Sequence, residues 1–475
     1  MKRTLKYTLL AFGMSLAILG CEDDPKLPDN KAEFEASVAG IAADETSLSI
    51  NINLSRETSK PVTLSVNVAS TGLSYGTDFT TDPAAVENVI SLTIPQGESQ
   101  ATIVLSKVSG VGFVGDEEVA FEIANIEGSP VVGEVPLITV TFSEIKVTSG
   151  SMNIQGGGAT YPNKVFIDLS ANRQTAIDRT TWDLGFSSGD NFRVILNSSN
   201  GMMAKALDKT DLTTVTAADT VGLGAKLSLS AVFAAITSDP VPDWVPSAIT
   251  WIDAPSGDIS QTAMAAVSAT LSENKVYIVN RGDGPGATPT KLGWKKIRVI
   301  RNGTGYTLQH ADIASTTFSE IQITKEATHA FQYVSFANGA VDVEPPTTKW
   351  DIAWAGFTNS TNFGSGPVPY YFQDIILQNT SNVQTLQVLT STKTYEAFVE
   401  SDLATIDFGA QSQVKIGSSW RSGGGPGTPP ALRTDRFYLI KDAEGNVYKL
   451  RFTALTQSGE RGKPALEFVR IKAGA

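Results

Sequence analysis

Apolar and polar residues alternate along much of the chain, and this alternation predicts short β-strands. Before residue 150, six such runs are separated by Gly, Asp and Pro: 46–54, 61–68, 89–94, 99–105, 118–123 and 137–142. Runs of this length and spacing are typical of an antiparallel β-sandwich. We therefore predict an N-terminal antiparallel β-sandwich over residues 33–146.

A second pattern of strands occurs twice. Trp-Asp-Leu-Gly-Phe at 182–186 corresponds to Trp-Asp-Ile-Ala-Trp at 350–354. Further alternating runs follow the same order in both halves: 164–170, 193–197, 275–279 and 294–300 in the first, and 331–336, 373–379, 436–440 and 447–452 in the second. We predict a duplicated all-β region, with one repeat over residues 148–319 and the other over 320–475. The fold class is thus mainly β.

Only one part of this region departs from the strand pattern. Ala-rich stretches at 225–236 and 260–271 predict short helices on either side of a Pro-containing loop. We expect Trp182 and Trp350 to be core residues, because each lies within a predicted strand.

The N-terminus has the pattern of a bacterial lipoprotein signal. Lys2, Arg3 and Lys6 precede an apolar run that ends at Ile-Leu-Gly-Cys, residues 18–21. This predicts a signal peptide over residues 1–20 and lipidation of Cys21, with a plain signal peptide as the alternative. Cys21 is the only cysteine, so the sequence offers no intrachain disulfide.

An acidic, Pro-containing tether follows at residues 21–32. It resembles the export signal of Bacteroidetes surface lipoproteins and implies a lipid anchor in the outer membrane with the protein exposed at the cell surface. A solvated linker is the alternative. The formal net charge of −12 argues against nucleic acid and anionic bilayers as partners. After the signal segment no apolar run is long enough to span a membrane.

Motifs of common catalytic sites are missing from the sequence. It contains no GxSxG elbow, no HExxH pair and no phosphate-binding loop with a lysine. We therefore expect a protein that is not an enzyme, although a pair of carboxylates on facing strands would leave a glycosidase-like site open.

The duplicated region resembles a known family. In each half a strand precedes the Trp-Asp strand, which reads WDxxF in the first half, and a strand that ends in Asn follows it. This order, together with Gly-Lys-Pro-Ala-Leu-Glu-Phe at 462–468, resembles that of the HmuY-like family of haem-binding surface lipoproteins of Bacteroidetes. The resemblance covers residues 148–475. It implies a β-rich fold that holds haem between loops through paired His or Met ligands, and that passes haem to an outer-membrane transporter.

Four residues are candidate ligands of haem iron. Met202 and Met203 lie in a polar loop where the family has a Gly-rich loop near its ligand, and neighbouring side chains on an extended chain point to opposite sides. His310 and His329 are the only histidines. Thioether and imidazole groups both bind haem iron. Core packing of the methionines and surface exposure of the histidines are the alternatives.

The N-terminal sandwich resembles a Calx-beta domain in three segments, 76–79, 95–98 and 115–118. In that family acidic residues of the late loops bind calcium, and Asp116, Glu117 and Glu118 match them. Because calcium takes six to eight oxygen ligands, this run would need help from another loop. A solvated strand end is the alternative.

The function predicted from these observations is capture of haem by a surface-anchored lipoprotein. The alternative is a structural, adhesive or glycan-binding surface lipoprotein. That protein would use aromatic and Arg residues of the Gly/Pro-rich loops at 364–371 and 423–430, together with Trp244 and Trp251.

Overall fold

The computed structural model describes residues 28–42, 45–109, 117–143, 147–364, 366–424 and 428–474. The first strands are β1 (Lys31–Phe34), β2 (Val38–Gly40), β3 (Ser47–Leu54), β4 (Val62–Thr71), β5 (Phe79–Asp82), β6 (Val89–Ile94), β7 (Gln100–Lys107), β8 (Glu118–Glu127), β9 (Val131–Val132) and β10 (Leu137–Thr141). The signal segment and Cys21 lie outside the described residues.

The rest of the chain is also built mainly from strands. These are β11 (Ser149–Asn153), β12 (Asn163–Asp168), β13 (Arg173–Asp178), β14 (Leu184–Ser187), β15 (Val194–Leu196), β16 (Met203–Ala206), β17 (Tyr277–Asn280), β18 (Trp294–Asn302), β19 (Gly305–Ala311), β20 (Ser319–Ile323), β21 (Phe331–Ser335), β22 (Gly339–Val341), β23 (Ile352–Asn362), β24 (Pro367–Gln378), β25 (Gln384–Leu389), β26 (Arg436–Lys441), β27 (Val447–Ala454) and β28 (Ala465–Lys472).

Helices are few in the part of the chain that the structure describes. The α-helix α1 is Leu229–Ile236, and 3-10 helices occupy Ser198–Asn200, Leu212–Thr214, Ala217–Thr220, Val245–Trp251, Leu271–Glu273 and Glu400–Thr405. The predicted helix within 225–236 is therefore present. The one predicted over 260–271 is wrong, because that stretch runs without helical hydrogen bonding until the single turn at its end.

The first ten strands form the predicted sandwich. Sheet 1 has the order β5-β7-β3-β1-β9 and sheet 2 the order β2-β10-β8-β4-β6. Pairing is antiparallel except at two edges, where β9 joins β1 and β2 joins β10 in parallel. The inward residues of the alternating strands make one hydrophobic core that includes Phe34, Phe79 and Phe121.

Strands of the two sequence repeats are exchanged between sheets. In sheet 3 (β13-β12-β23-β24), β12 from the first repeat pairs with β23, the Trp-Asp strand of the second. In sheet 4 (β15-β14-β21-β22), β21 from the second repeat pairs with β14, the Trp-Asp strand of the first. Each repeat thus supplies half of the other's sheet.

Two five-stranded sheets cover the exchanged sheets. Sheet 5 (β16-β17-β18-β19-β20) packs on sheet 4 around Phe186 and Tyr306, and sheet 6 (β11-β28-β27-β26-β25) packs on sheet 3 around Trp354 and Tyr438. The duplicated region therefore consists of two lobes related by the sequence repeat. These sheets confirm the predicted mainly β fold class.

A further core lies where the two exchanged sheets meet. It contains Trp182 and Trp350, which are both buried as predicted, although each precedes its strand rather than lying within it. Trp182 packs edge-to-face on Tyr333 with ring centroids 4.8 Å apart. Trp350 packs in the same way on Phe166 at 5.0 Å.

Among the described residues, no helix is both long and apolar enough to cross a membrane.

Candidate functional site

Met202 and Met203 lie in the hydrophobic core. Asn197 accepts hydrogen bonds from the amides of Ser199 and Asn200, which starts the 3-10 turn Ser198–Asn200 and brings the chain directly into β16. Met202 is 1% exposed and belongs to the core between sheets 4 and 5. Met203 is 0% exposed and belongs to a separate core around α1. The side chains therefore point to opposite sides of the strand, as alternation predicts.

His310 is part of the packing of strand β19. It is 8% exposed, and its ring lies 5.3 Å from the ring of Phe336. Burial, with a contribution from nearby Lys295, lowers the pKa of His310. The imidazole is therefore held neutral inside the protein rather than presented to a ligand.

His329 lines a cleft. The cleft has a volume of about 510 Å³ and lies between the sandwich and the duplicated region. The Nδ1 atom of His329 is 3.0 Å from Thr328 Oγ1 and 3.7 Å from Glu326 Oε2, and the side chain is 25% exposed. Because these contacts use Nδ1, the other ring nitrogen, Nε2, is the one that remains for a ligand.

The wall of this cleft is partly aromatic. Phe331 and Tyr333 are alternate residues of β21, so they lie on one side of that strand. His329 lines the cleft from the segment just before it. The remaining apolar lining comes from both parts of the molecule: Leu48 from the sandwich, and Ala176, Ile177, Val341, Val343, Pro345 and Pro346 from the duplicated region. A volume of this size falls in the range of small-molecule sites.

Negative charge dominates the polar lining. Four carboxyl groups line the cleft, those of Glu45, Glu326, Asp342 and Glu344, against the single guanidinium of Arg173, which pairs with Glu45 at 2.8 Å. Burial raises the pKa of Glu344, which accepts hydrogen bonds from the Tyr333 hydroxyl at 2.8 Å and the Ala330 amide at 3.2 Å. The cleft therefore combines an apolar and aromatic wall with several carboxyl groups, of which Glu45 is paired with Arg173 and Glu344 with the Tyr333 hydroxyl.

The Gly/Pro-rich loop after residue 420 does not present its aromatic and basic residues to a ligand. Trp420 is fully buried and donates a hydrogen bond from Nε1 to the carbonyl of Asp374 at 3.0 Å. Arg421 Nε lies 3.6 Å from Asp374 Oδ2, and Arg461 also pairs with this carboxylate. Trp420 and Arg421 therefore anchor the loop to β24.

A cluster of exposed aromatic rings lies elsewhere, at the tip of the β23–β24 hairpin. Phe363, at the hairpin tip, is 52% exposed, and Phe233, on α1, is 47% exposed. Their ring centroids are 6.0 Å apart. Tyr370 is 5.4 Å from Phe363 and 5.1 Å from Phe372. We call these four residues the aromatic cluster.

The acidic run of the sandwich is divided between two environments. Glu117 is buried and Glu118, which starts β8, is exposed, while Asp116 lies outside the described residues. In the described ranges no group of three or more His, Cys, Asp or Glu side chains is placed to hold a metal ion.

Both halves of the duplicated region match a known sequence family. The sequence model of the family described as HmuY protein matches twice, at residues 160–297 and 327–468, which together exceed half of the chain. The chain belongs to the HmuY family. Its two matches coincide with the two halves whose strands are exchanged. No curated protein matches the chain.

Solved structures match the chain at low sequence identity. A putative HmuY-like heme-binding protein from Bacteroides vulgatus is 9% identical and covers 68% of this chain and 95% of its own, with a TM-score of 0.19. The apo Calx CBD1 domain is 15% identical and covers 24% and 97%, with a TM-score of 0.21. A putative carbohydrate-binding protein from Bacteroides ovatus is 11% identical and covers 94% and 98%, with a TM-score of 0.18.

The cleft offers one side chain of a type that binds haem iron. Among the described lining residues, His329 is the only His, Met or Cys side chain. Phe331 and Tyr333 would lie beside a porphyrin whose iron is bound by Nε2, and the Tyr333 hydroxyl is already committed to Glu344. The four ligand candidates are not brought together, and only His329 is placed to contact a ligand.

The cleft contains residues that the sequence analysis did not select. Phe331, Tyr333, Glu344 and Arg173 were not among the predicted site residues. The signal for the first two was present, because His329, Phe331 and Tyr333 occupy every second position. Nothing in the sequence indicated that the sandwich would supply the opposite wall.

Proposed function

We propose that the protein captures haem in the cleft and that His329 is its iron ligand. The observation that carries this proposal is the placement of His329, in a member of the HmuY family, at the edge of an aromatic-walled cleft of about 510 Å³. Imidazole is a common axial ligand of haem iron.

The chain's own residues would position the ligand. Thr328 Oγ1 and the Glu326 carboxylate contact Nδ1 of His329, which would fix the ring orientation and leave Nε2 for the iron. The sandwich and strand β13 supply the opposite walls. Bound haem would contribute an iron centre that accepts one nitrogen ligand, and no bond of the porphyrin would be made or broken.

Anchoring and transfer complete the proposal. Lipidation of Cys21 would hold the protein on the outer membrane, exposed at the cell surface, where it passes haem to an outer-membrane transporter without acting as an enzyme. We expect Cys21→Ser to move the protein from the membrane fraction to the soluble fraction of cells. Retention of the variant in the membrane fraction would contradict a lipid anchor at this residue.

An absorption titration tests haem capture. We expect ferric haem added to the soluble protein, which begins after Cys21, to give a saturable shift of the Soret band with one equivalent. His329→Ala should lose the shift. His329→Gln keeps a polar side chain of similar length without the imidazole, so it should lose the shift as well while the protein remains folded.

Circular dichroism separates loss of the ligand from loss of the fold. Wild type and both His329 variants should have the same β-sheet spectrum and melting temperature, because His329 lies outside the core clusters. A Soret shift that survives both substitutions would contradict the ligand assignment. A spectrum equal to that of free haem for the wild type would contradict haem capture.

A second candidate function, binding of a neutral glycan, is favoured by the aromatic cluster. No Asp, Glu, Lys or Arg occurs between Asp351 and Asp374 or within 227–238, although the protein is strongly acidic. Asn359 lies directly opposite Tyr370 in the β-ladder, so its amide is on the same face as the ring. Uncharged rings beside an amide suit the apolar face and hydroxyl groups of a sugar.

Affinity electrophoresis tests this second candidate. Neutral polysaccharides should retard the wild type, and Phe363→Ala with Tyr370→Ala should abolish the retardation, whereas His329→Ala should leave it unchanged. Equal mobility with and without each polysaccharide would contradict glycan binding.

A further inference from the structure

The Trp-Asp aspartate of the first repeat is neutralised by an arginine. Asp183 is buried and accepts hydrogen bonds from Arg281 Nε at 2.7 Å and Nη2 at 3.2 Å. It also accepts the amide of Phe336 at 2.8 Å. Ser335 lies opposite Asp183, one step beyond the register pair of Leu184 with Val334. This bidentate geometry gives the buried carboxylate a matched cation.

The corresponding aspartate of the second repeat has acidic neighbours instead. Asp351 accepts the amide of Leu169 at 2.8 Å, just as Asp183 accepts that of Phe336. The residue opposite it, however, is Asp168 where the first repeat has Ser335. The residue that corresponds to Arg281 is Asp442, because each directly follows the equivalent strands β17 and β26.

Asp168 and Asp442 are engaged by their own turns. Asp168 Oδ1 accepts hydrogen bonds from Ser170 Oγ at 2.7 Å and the Ala171 amide at 3.0 Å. Its Oδ2 is buried and has no hydrogen-bond partner in the described chain. Asp442 accepts three hydrogen bonds from the turn that follows it. Neither carboxyl group supplies the cation that Asp351 lacks.

The charged groups around the pair come from four elements. Arg173 of β13 and Lys349 before β23 favour the ionised form of Asp168. Asp442 and Glu444, from the turn between β26 and β27, disfavour the ionised form of Asp351. The hydroxyl of Tyr448 on β27 is buried nearby and faces the same carboxyl groups. The two cations oppose four carboxyl groups in all.

Burial sets the direction of titration. Asp168 is 4% exposed and Asp351 is 5% exposed. Burial raises the pKa of both, and the charge of Asp168 raises that of Asp351 further. Two carboxyl groups that meet inside a protein do not both ionise readily.

We propose that Asp168 and Asp351 form a pH-sensitive cross-strand pair that is stable while at least one of the two carboxyl groups is protonated and that weakens the junction between the two repeats when both are ionised. The pair lies where β12 of one repeat meets β23 of the other, so a second negative charge is placed on the strand exchange itself. This inference goes beyond haem capture and does not depend on it.

The pair also bears on the contact between the sandwich and the duplicated region. Arg173 lies directly opposite Asp168 in the β12–β13 ladder and forms the 2.8 Å ion pair with Glu45 of the sandwich. Once ionised, the pair competes with Glu45 for this guanidinium. Deprotonation therefore weakens two junctions through one residue.

Unfolding measured against pH tests the pair. Folding raises the pKa of the two aspartates. Their contribution to stability is therefore fully present below the pKa of an unfolded carboxyl group and is lost as pH rises through their pKa in the folded protein. Asp168→Ser copies Ser335 of the first repeat. Between pH 5 and pH 9 the unfolding constant of the wild type should rise relative to that of Asp168→Ser, about tenfold for each unit of raised pKa. Asp168→Asn, which keeps the shape, should behave like Asp168→Ser.

The first repeat supplies the matched control. Ser335→Asp places a second carboxyl group opposite Asp183, but there Arg281 provides a cation, so the loss of stability towards pH 9 should be much smaller than that caused by the native pair. A pH-independent ratio of unfolding constants between wild type and both Asp168 variants would overturn the proposal.

A double-mutant cycle tests the link to the sandwich. Burial raises the pKa of Glu35, which also interacts with Arg173, to about 7, so every variant of the cycle carries Glu35→Gln. The coupling between Glu45 and Arg173, measured with Glu45→Gln and Arg173→Met, should then fall between pH 5 and pH 9 when Asp168 is present and stay constant in Asp168→Asn. The same fall in both backgrounds would overturn competition for Arg173. Neither experiment contains haem, so the outcome is independent of haem capture.

Discussion

The two repeats keep the same hydrogen-bond frame but differ in charge around it. In the first, the Asn197 amide donates to the carbonyls of Arg179 and Trp182, and in the second, the Asn379 amide donates to those of Thr347 and Trp350. The backbone amides of Asn197 and Asn379 bond in turn to the carbonyls of the Trp-Asp aspartates. The side chains facing those aspartates are an arginine in one repeat and carboxyl groups in the other. The two repeats thus have the same hydrogen-bond frame and different charges around it.

The largest expected effect tests whether both repeats contribute equally to the central core. Trp182→Ala and Trp350→Ala each remove an aromatic side chain from that core and should lower the free energy of unfolding by about 3–5 kcal/mol. Chemical denaturation of each variant measures the change. A cost below about 1 kcal/mol for one of them would show that the two motifs are not equivalent.

The next largest effect tests the difference in charge between the two repeats. Arg281→Met leaves the carboxylate of Asp183 buried without its cation and should cost about 3 kcal/mol of unfolding free energy. In the second repeat, Asp442→Asn keeps the acceptor for the two backbone amides of its turn but loses the acceptor for Asn446 Nδ2, while it removes a negative charge near Asp351. We therefore expect a much smaller loss of stability than that caused by Arg281→Met at pH 8. Equal destabilisation by both substitutions would contradict the proposed difference in charge between the two repeats.

A smaller effect tests the shared frame. Asn197→Ala and Asn379→Ala each remove the amide donor to two backbone carbonyls, at a cost of about 2 kcal/mol. In the first repeat, Asn200 Nδ2 still donates to one of them, the Arg179 carbonyl, at 3.1 Å. Thermal unfolding should show similar shifts for the two variants. If only Asn197→Ala were destabilising, the frame of the second repeat would not depend on its asparagine.

The smallest effect concerns the methionines. Met202→Leu conserves volume in the core between sheets 4 and 5, so it should cost less than about 1.5 kcal/mol. Haem titration of this variant should match the wild type, because the thioether faces the core rather than the cleft. Loss of the Soret shift in a folded Met202→Leu protein would assign a ligand role to this residue.

Alternation predicted the strands well because it depends only on which faces are buried. The run at 89–94 coincides with β6 (Val89–Ile94), and the Trp-Asp motifs were found as a repeat. The exchange of β12 and β21 between the repeats was not predicted. A period of two identifies the buried face of a strand but not the strand beside it, and the equivalent partners in the two repeats have nearly the same pattern.

The candidate haem site was harder to predict from the sequence than the strands. The Asn-Gly segment after Asn197 suggested an open loop, yet it forms one 3-10 turn between two buried strands and places Met202 and Met203 in cores. The cleft beside His329 depends on how the sandwich packs on β13, through contacts such as that of Arg173 with Glu45. Long-range packing of this kind leaves no local pattern.

The most direct test of the central claim is the stoichiometry and coordination of bound haem in the wild type and in His329→Ala, measured together by absorption spectroscopy. The cleft beside His329, which has one imidazole among its described lining residues, predicts one haem per chain, with the spectrum of haem bound through one histidine, and no saturable binding by His329→Ala. Two equivalents of haem, the spectrum of a pair of axial side-chain ligands, or unchanged binding by His329→Ala would contradict the account.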